Sequence, residues 1–287
     1  MSQTRAAHTA SPDLPCPEPA DQDDLLVFER RLWEAGFLDV AGIDEAGMGP
    51  LAGPVFAAAV IFAPGVRLEG VADSKTLSAQ QREETEQRIL REAKAWAVAC
   101  AEVEEIDRLN IYRAGLLAMR RAVEALAPQP GHLLVDGRLI PELPIPQSRV
   151  VGGDRRSHCV AAASILAKTA RDRRMVELDR LYPGYGFAEH KGYPTPAHRE
   201  ALARMGPSPI HRRSFPAVSE FEGTFSPRFF SIRQQIASAA DPGELDALLA
   251  GAALGSPSLT GSEFRRIREL CSRRKRTLAR PRPAVEV

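Results

Sequence analysis

The sequence predicts a mixed α/β fold, and three observations lead to that prediction. Two apolar segments at residues 40–44 and 55–62 are rich in small and β-branched residues, and Gly and Pro punctuate the gap between them. This pattern is typical of two strands joined by a turn. Apolar residues recur with helical spacing at 111–126. A long helix expected at 157–180 begins with small residues, which allow close packing on a sheet covered by helices.

The remaining elements follow from local signals along the chain. We expect, in order, a short amphipathic helix at 25–35, a polar helix at 78–93, a strand at 95–103, and short strands at 132–135 and 148–151. Ser78 has the side chain of an N-cap for the polar helix. The order of strands and helices favours a mixed sheet flanked by helices.

Composition divides the chain into three parts. Residues 1–22 are rich in Pro, Asp and small polar residues without periodicity, and we expect a disordered N-terminal tail. Residues 23–222 hold the predicted sheet and form the main domain. Residues 223–287 are expected to form an appended helical segment that ends in a flexible basic tail.

Overall composition is that of an ordinary globular protein, with 44% hydrophobic and 26% charged residues. The net charge of +1 means that any contact with a polyanion must come from a local basic face. The four cysteines form no CxxC pair, which fits a reducing cytosol better than a disulfide framework or a zinc site. Apolar runs are too short to span a bilayer. We therefore expect a cytoplasmic monomer that does not associate with membranes.

Acidic residues fall at the ends of predicted strands. Asp44 and Glu45 end the first strand, Asp136 ends another, and Asp154 precedes the long helix. An acid in an apolar strand must be paired, hydrogen-bonded or bound to metal, because burying a lone carboxylate is costly. Ligand sites in open α/β sheets gather at strand ends. No His or Cys accompanies these acids, so oxygen ligation of Mg²⁺ or Mn²⁺ and phosphodiester hydrolysis are indicated.

Two of these acids also have an ordinary structural explanation. Asp136 followed by Gly137 can form a turn, and Asp154 can favour the start of the following helix. Adjacent strand residues point to opposite faces, so Asp44 and Glu45 reach one centre only if the strand ends or bulges between them. Glu45 can instead act through a bound water. Spacing alone leaves both explanations open.

The segment GIDEAGMGPLAGPV at 42–55 resembles the opening motif of ribonuclease HII, the bacterial type 2 ribonuclease H family. Further matching motifs follow in the same order: DSKTLS at 73–78, DRLNI at 107–111, VDG at 135–137, GD at 153–154, AAASILAK at 161–168, YGF at 185–187, HKGYPT at 190–195 and HRRSF at 211–215. The resemblance covers about residues 38–220. It implies a ribonuclease H-like fold for the main domain and a metal-dependent endonuclease. The implied substrates are RNA–DNA hybrids and duplex DNA with embedded ribonucleotides, cut to leave 3′-hydroxyl and 5′-phosphate ends.

The resemblance also implies the site residues. The catalytic, metal-binding carboxylates fall on the four acids already singled out: Asp44, Glu45, Asp136 and Asp154. The turn at Gly47, Met48 and Gly49 resembles the segment that contacts the ribonucleotide through its main chain, since glycines allow close approach. Tyr193 matches the tyrosine beside the junction sugar, although a loop aromatic that packs on the core is the alternative. Met48 and Gly152 depart from the family pattern of Arg and Lys, and both changes remove positive charge.

Binding a duplex requires neutralisation of phosphates. Basic residues in or next to the motifs are the candidates: Lys75, Arg155, Arg156, Lys168, Lys191, Arg212 and Arg213. Ser74 and Lys75 are expected to hold a phosphate of the DNA strand, whereas Lys168 is equally compatible with a structural role. The basic run at 273–282 lies outside the resemblance and either adds non-specific affinity or serves only solubility.

Two other functions compete with this interpretation. A structure-specific DNA nuclease of the same fold has no use for the glycine turn and Tyr193, which serve to recognise a ribose. A non-catalytic nucleic-acid binder has no need to keep all four carboxylates, and none is replaced here.

Overall fold

The structure is a computed structural model that describes residues 24–71, 77–219, 226–254, 259 and 261–278. Its helices are α1 (Val27–Glu34), α2 (Ala79–Glu92), α3 (Val103–Leu109), α4 (Ile111–Glu124), α5 (His158–Leu181), α6 (Phe187–His190), α7 (Pro196–Met205), α8 (Pro216–Ser219), α9 (Pro227–Ser238), α10 (Pro242–Leu254) and α11 (Gly261–Leu278). Its strands are β1 (Val40–Ala46), β2 (Val55–Ile61), β3 (Ala95–Ala101), β4 (His132–Asp136) and β5 (Gln147–Val150). The expected tail at 1–22 and the candidates Ser74 and Lys75 lie outside these ranges.

The five strands form one mixed sheet in the order β3-β2-β1-β4-β5, which confirms the predicted fold class. β1 pairs antiparallel with β2 and parallel with β4, and β4 pairs parallel with β5. The register places Ile43 beside Val135, so the next residue of each strand reaches the same edge of the sheet. Asp136 ends β4, whereas β1 continues past Asp44 and Glu45 to Ala46, so the first strand is two residues longer than predicted.

Small residues allow α5 to lie directly on the sheet, as its sequence predicts. A Cβ at Gly42 of β1 would lie 2.1 Å from the main-chain carbon of Cys159, so only glycine fits there. Ala161, Ala162 and Ala163 are fully buried in the core between α5 and the sheet. This close packing fixes the position of α5 relative to the strand that carries Asp44.

Helix α3 corrects the predicted strand at 95–103, which ends two residues earlier. Glu102 starts the helix as its N-cap, and a reciprocal capping box joins it to Glu105. Val103 and Ile106 are both buried with helical spacing. The stretch at 101–103 is too short for periodicity to distinguish the end of a strand from the start of a helix.

The chain forms two compact units, residues 1–175 and 176–287, with the division inside α5. In the second unit, α9, α10 and α11 share an apolar cluster that includes Phe229, Leu245 and Ile267. Residues 273–276 lie in α11 rather than in a flexible tail. The preceding residues Leu270 and Cys271 are buried in the apolar cluster and hold this part of the helix in place. The domain boundaries expected at 22 and 222 remain proposals. Among the described helices, none combines the length and apolar character that crossing a bilayer requires.

Candidate active site

Asp44 is a buried carboxylate, 5% exposed, at the edge of the sheet. Its Oδ1 accepts a hydrogen bond of 2.7 Å from the main-chain N–H of Glu45, and the Ser164 hydroxyl on α5 donates a second. Burial, and then the negative charges of Glu45 and Asp136, raise the pKa of Asp44 well above its usual value. The fold therefore brings three of the predicted acids into electrostatic contact.

Asp136 is tied to the turn that carries the fourth acid. Its Oδ1 accepts a 2.8 Å hydrogen bond from the main-chain N–H of Gly153. Asp154 follows in a short 3-10 helix, Gly153–Arg155, and is buried. A left-handed residue, Gly152, with φ 65°, opens this turn. This hydrogen bond thus connects the end of strand β4 to the 3-10 helix that carries Asp154.

Two structural explanations were open, a turn at Asp136 and a favourable helix start at Asp154, and the structure bears on them differently. Asp136 and Gly137 do form a turn, because the main-chain N–H of Arg138 donates to the Asp136 carbonyl at 2.7 Å. The Asp136 side chain is nevertheless used elsewhere, at Gly153. Asp154 does not cap α5, since the Ser157 hydroxyl accepts from the main-chain N–H of Val160 at 3.3 Å. Sequence spacing could not separate these uses.

The chemistry of the donor set fits a hard divalent cation, because all four predicted ligands offer carboxylate oxygens. Within the described ranges, no group of three or more His, Cys, Asp or Glu side chains could hold an ion as it stands. Asp44, Glu45 and Asp136 repel one another, as the raised pKa of Asp44 shows. Direct ligation by several of them requires the side chains to close in, which a bound cation favours by neutralising that repulsion.

A buried arginine supports the glycine turn next to Asp44. Gly47 has φ 101°, and a Cβ there would lie 2.1 Å from Nε of Arg171. Arg171 is fully buried, and its Nε and Nη2 donate to the carbonyls of Pro54 and Ala52 at 3.1 and 3.2 Å. The turn at 47–54 is therefore held from beneath by one side chain. Sequence reasoning assigned Arg171 no role.

The rest of the turn presents one apolar side chain and one exposed backbone position. Met48 is partly buried, and its sulfur lies 3.0 Å from where a Cβ of Gly115 on α4 would be. The flexible thioether of Met48 thus packs on the helix. Gly49 is exposed and has no side chain to shield its main chain from a ligand.

Lys168 lies on α5, one helical turn after Ser164, and forms an ion pair with Asp172. Its Nζ lies 2.6 Å from Oδ1 of Asp172, and Nη2 of Arg82 lies 3.5 Å from the other oxygen of that carboxylate. Burial lowers the pKa of Lys168. This pairing favours the structural role that the sequence left open for Lys168.

Tyr193 and Lys191 lie in the second unit, in the loop between α6 and α7. The Tyr193 side chain is 39% exposed, so it is not a core aromatic. Its main chain is fixed: the N–H donates to the His190 carbonyl at 2.9 Å, and its carbonyl accepts from the Thr195 N–H at 2.8 Å. Lys191 adopts a left-handed conformation, and its ammonium donates to the Ala188 carbonyl.

Two buried histidines hold the Tyr193 carbonyl through a chain of hydrogen bonds. The main-chain N–H of Ser208 donates to Nδ1 of His211 at 2.8 Å, which leaves the proton of His211 on Nε2. That Nε2 lies 3.1 Å from Nε2 of His198, whose Nδ1 lies 2.9 Å from the Tyr193 carbonyl. Burial lowers the pKa of His198 to about 4 and that of His211 well below its usual value, so both rings are neutral. Sequence reasoning assigned neither histidine a role.

The other basic candidates differ in accessibility. Arg155 and Arg213 are exposed, and Arg156 lies over the Phe28 ring with 5.3 Å between Cζ and the centroid. Arg212 is fully buried and stacks on Phe215, which indicates a structural role.

Known proteins share this sequence and this fold. A model of the ribonuclease HII family matches residues 41–218. Ribonuclease HII of Myxococcus xanthus is 60% identical over 200 residues, which cover 69% of this chain and 68% of that protein. Ribonuclease H2 from Pyrococcus horikoshii superposes with a TM-score of 0.56 at 27% identity, over 64% of this chain and 97% of that chain. Bst-RNase HIII in complex with Mn²⁺ shares the fold, with a TM-score of 0.51 at 21% identity over 71% and 75% of the two chains. These structures confirm the expected ribonuclease H-like fold.

Proposed function

The chain belongs to the ribonuclease HII family, and from this premise we propose that the carboxylates around Asp44 form its catalytic centre. It is an endoribonuclease that hydrolyses the RNA strand of RNA–DNA hybrids and nicks duplex DNA at embedded ribonucleotides. The observation that carries the assignment of the centre is the pairing of Ile43 in β1 with Val135 in β4, which places Asp44 and Asp136 next to each other on neighbouring strands. The products carry 3′-hydroxyl and 5′-phosphate ends.

Four side chains are proposed to hold divalent metal: Asp44, Glu45, Asp136 and Asp154. Ribonucleases of this family use divalent ions, and Mn²⁺ or Mg²⁺ suits an all-oxygen donor set. When bound, such an ion lowers the pKa of water and neutralises charge that develops on the phosphate. Asp44 is proposed as a direct ligand, because its burial and its negative neighbours disfavour its charge and a bound cation would neutralise that repulsion.

The protein's own contribution is to orient these carboxylates before substrate arrives. The Ser164 hydroxyl and the Glu45 N–H fix Asp44, while the Gly153 N–H fixes Asp136. Hydrogen bonds of this kind restrict a carboxylate to one rotamer and orient it towards a bound ion. Glu45, the second-last residue of β1 and partly exposed, is proposed to act directly or through a water.

Recognition of ribose is proposed to rest on main-chain groups of Gly47, Met48 and Gly49. The 2′-hydroxyl is the group that distinguishes RNA from DNA, and a rigid backbone can hydrogen-bond to it closely. Arg171 supplies that rigidity by anchoring the carbonyls of the same turn. Tyr193 is proposed as a second substrate contact, on the strength of the family resemblance and of its exposed ring.

Four further side chains are proposed to contact substrate: Ser74, Lys75, Lys168 and Lys191. Ser74 and Lys75 rest on the sequence alone, and Lys191 rests on its position beside Tyr193. The ammonium of Lys168 is engaged by Asp172. We also propose that the protein works as a cytoplasmic monomer on RNA–DNA hybrids and ribonucleotide-containing duplexes.

A substrate panel tests the function. A DNA duplex with one ribonucleotide, an RNA–DNA hybrid and an all-DNA duplex are offered with Mn²⁺, with Mg²⁺ and with chelator. We expect metal-dependent cleavage of the first two substrates only. Cleavage of the all-DNA duplex would favour a structure-specific DNA nuclease, and full activity in chelator would exclude the metal assignment.

A further inference from the structure

A cavity of about 920 Å³ lies within the second unit, between the 182–185 loop, residues 204–209, α9 and α11. This volume is in the range of small-molecule binding sites. Four arginines contribute to its wall: Arg204, Arg213, Arg233 and Arg274. No Asp or Glu is among its lining residues in the described part of the chain. We call it the arginine cavity.

Arg233 on α9 is the most deeply buried of these arginines, with 8% exposure. Its Nη2 donates to the Tyr185 hydroxyl at 3.2 Å, and its Cζ lies 4.8 Å from the centre of the Phe230 ring. Its Nη1 has no hydrogen-bond acceptor among the described residues. A guanidinium that is nine-tenths buried therefore faces the cavity without a carboxylate to neutralise it.

The surroundings of Arg233 are shaped to keep that charge in place. A Cβ at Gly206 would lie 2.2 Å from Nη1, so glycine leaves the space that the guanidinium fills. The Tyr185 hydroxyl donates its own proton to the Gly206 carbonyl at 2.7 Å and is left to accept from Arg233. The group is thus oriented by two neighbours, neither of which carries a negative charge.

The free-energy cost of burying such a charge indicates that the cavity binds a ligand. Arginine stays protonated in proteins, so burial does not remove its charge. A buried charge without a counter-ion destabilises a fold unless it is compensated. Arg204 adds a second unused donor, because its Nε also has no acceptor in the described residues while its Nη2 donates to the Gly184 carbonyl at 2.9 Å. Both unused donors belong to the same cavity wall.

We propose that the arginine cavity binds a phosphate group, carried either by a free nucleotide or by a nucleic-acid strand. Guanidinium groups match phosphate oxygens in a bidentate geometry, and a wall with several cations and no acid among its described lining residues suits an anion of high charge density. Phe230, Leu270 and Ile236 supply an apolar wall on which a base can lie. This site is independent of the carboxylates around Asp44.

Binding to the full-length protein tests the proposal, measured by calorimetry in chelator so that hydrolysis cannot interfere. The probes are adenosine 5′-monophosphate, adenosine and a short single-stranded DNA. We expect a phosphate-bearing probe to bind and adenosine to bind at least about tenfold more weakly. Arg233→Met should weaken binding of that probe about thirtyfold or more, because a buried charge partner is removed. Arg199→Met, at an exposed position on α7 outside the cavity, should bind like the wild type.

The outcomes separate the two sources of phosphate. Tight binding of the monophosphate identifies a free nucleotide, whereas binding of the DNA alone identifies a strand, provided that Arg233→Met weakens it. If Arg233→Met does not fold, Arg204→Met decides in its place, because Arg204 is only partly buried. The proposal is overturned if neither probe binds, if adenosine binds equally well, or if the cavity variants bind like the wild type.

Discussion

Oδ1 of Asp136 accepts a 2.8 Å hydrogen bond from the main-chain N–H of Gly153, and this contact joins a strand end to the turn that presents Asp154. The two residues are 17 positions apart, and the intervening chain includes β5. The contact makes the position of Asp154 depend on that of Asp136, and both are proposed metal ligands. Its integrity can be tested without touching any carboxylate.

Gly153→Ala should impair catalysis more than folding. The new Cβ would lie 2.9 Å from Cγ1 of Val160 and 3.5 Å from Oδ1 of Asp136, so the turn must shift and carry Asp154 with it. We expect kcat to fall about tenfold to a hundredfold, the loss typical of a misplaced catalytic group. Gly131→Ala is the matched control, since its Cβ meets nothing closer than 3.6 Å. Equal kcat values for the two variants would contradict the prediction.

Asp44→Asn should abolish cleavage and stabilise the metal-free protein. The amide keeps the shape of the side chain and removes its repulsion with Glu45 and Asp136. We expect a higher free energy of unfolding in chelator, because the amide removes a buried charge and its repulsion with neighbouring carboxylates. Denaturant titration provides the measurement, with Asp39→Asn as a surface control that loses only its pairing with Lys94. A destabilised Asp44→Asn protein would show that the charge is compensated without metal.

Removal of metal should lower thermal stability only in proteins that keep the proposed ligands. A ligand that binds the folded state stabilises it by an amount that grows with the logarithm of its concentration above Kd, and so raises the melting temperature. Adding Mn²⁺ after chelator should therefore raise the melting temperature of the wild type and of Asp39→Asn. Asp44→Asn and Asp136→Asn should respond weakly. An equal Mn²⁺ response in all four proteins would locate the ion elsewhere.

His198 should act through Tyr193, as a positioning residue. The amide nitrogen of Asn can replace Nδ1 of histidine, whereas Gln reaches the Nε2 position and loses the donor to the Tyr193 carbonyl. We expect His198→Gln to reduce kcat/KM about five- to tenfold more than His198→Asn, the effect of one hydrogen bond. The difference should vanish in a Tyr193→Ala background. Equal losses in both variants, or a difference that persists without Tyr193, would indicate a purely structural histidine.

Acid should destabilise the first unit through its two buried histidines. Burial lowers the pKa of His132 and His158 to about 4, against 6.5 in the unfolded chain. The unfolded state thus binds more protons between these values, so stability is complete above pH 6.5 and declines as the pH falls towards 4. The slope should be about 1.4 kcal/mol per pH unit for each histidine. Unfolding at pH 7 and at pH 5 measures it, and His158→Gln should reduce the difference.

Local patterns were sufficient where the physics is local. The hairpin of β1 and β2 followed from apolar runs broken by Gly and Pro, and the N-cap at Ser78 followed from its side chain. The acids at 44 and 136 could be singled out because charge in an apolar strand needs a reason. Whether they act as metal ligands stays a prediction.

Long-range contacts explain what the sequence could not reveal. Arg171 supports Pro54 across 117 positions, and nothing in the local pattern around Gly47 indicates a guanidinium beneath it. The contact between His198 and His211 likewise joins different segments of the second unit. Tertiary packing fixes such partners, and periodicity does not record them.

Crystals of the protein soaked in Mn²⁺ would test the central claim most directly through the anomalous signal of the ion. The account predicts a peak about 2–2.5 Å from carboxylate oxygens of both Asp44 and Asp136, the usual range for oxygen ligation of divalent cations. A strong peak that touches neither residue, or full metal-dependent activity without such a peak, would contradict it.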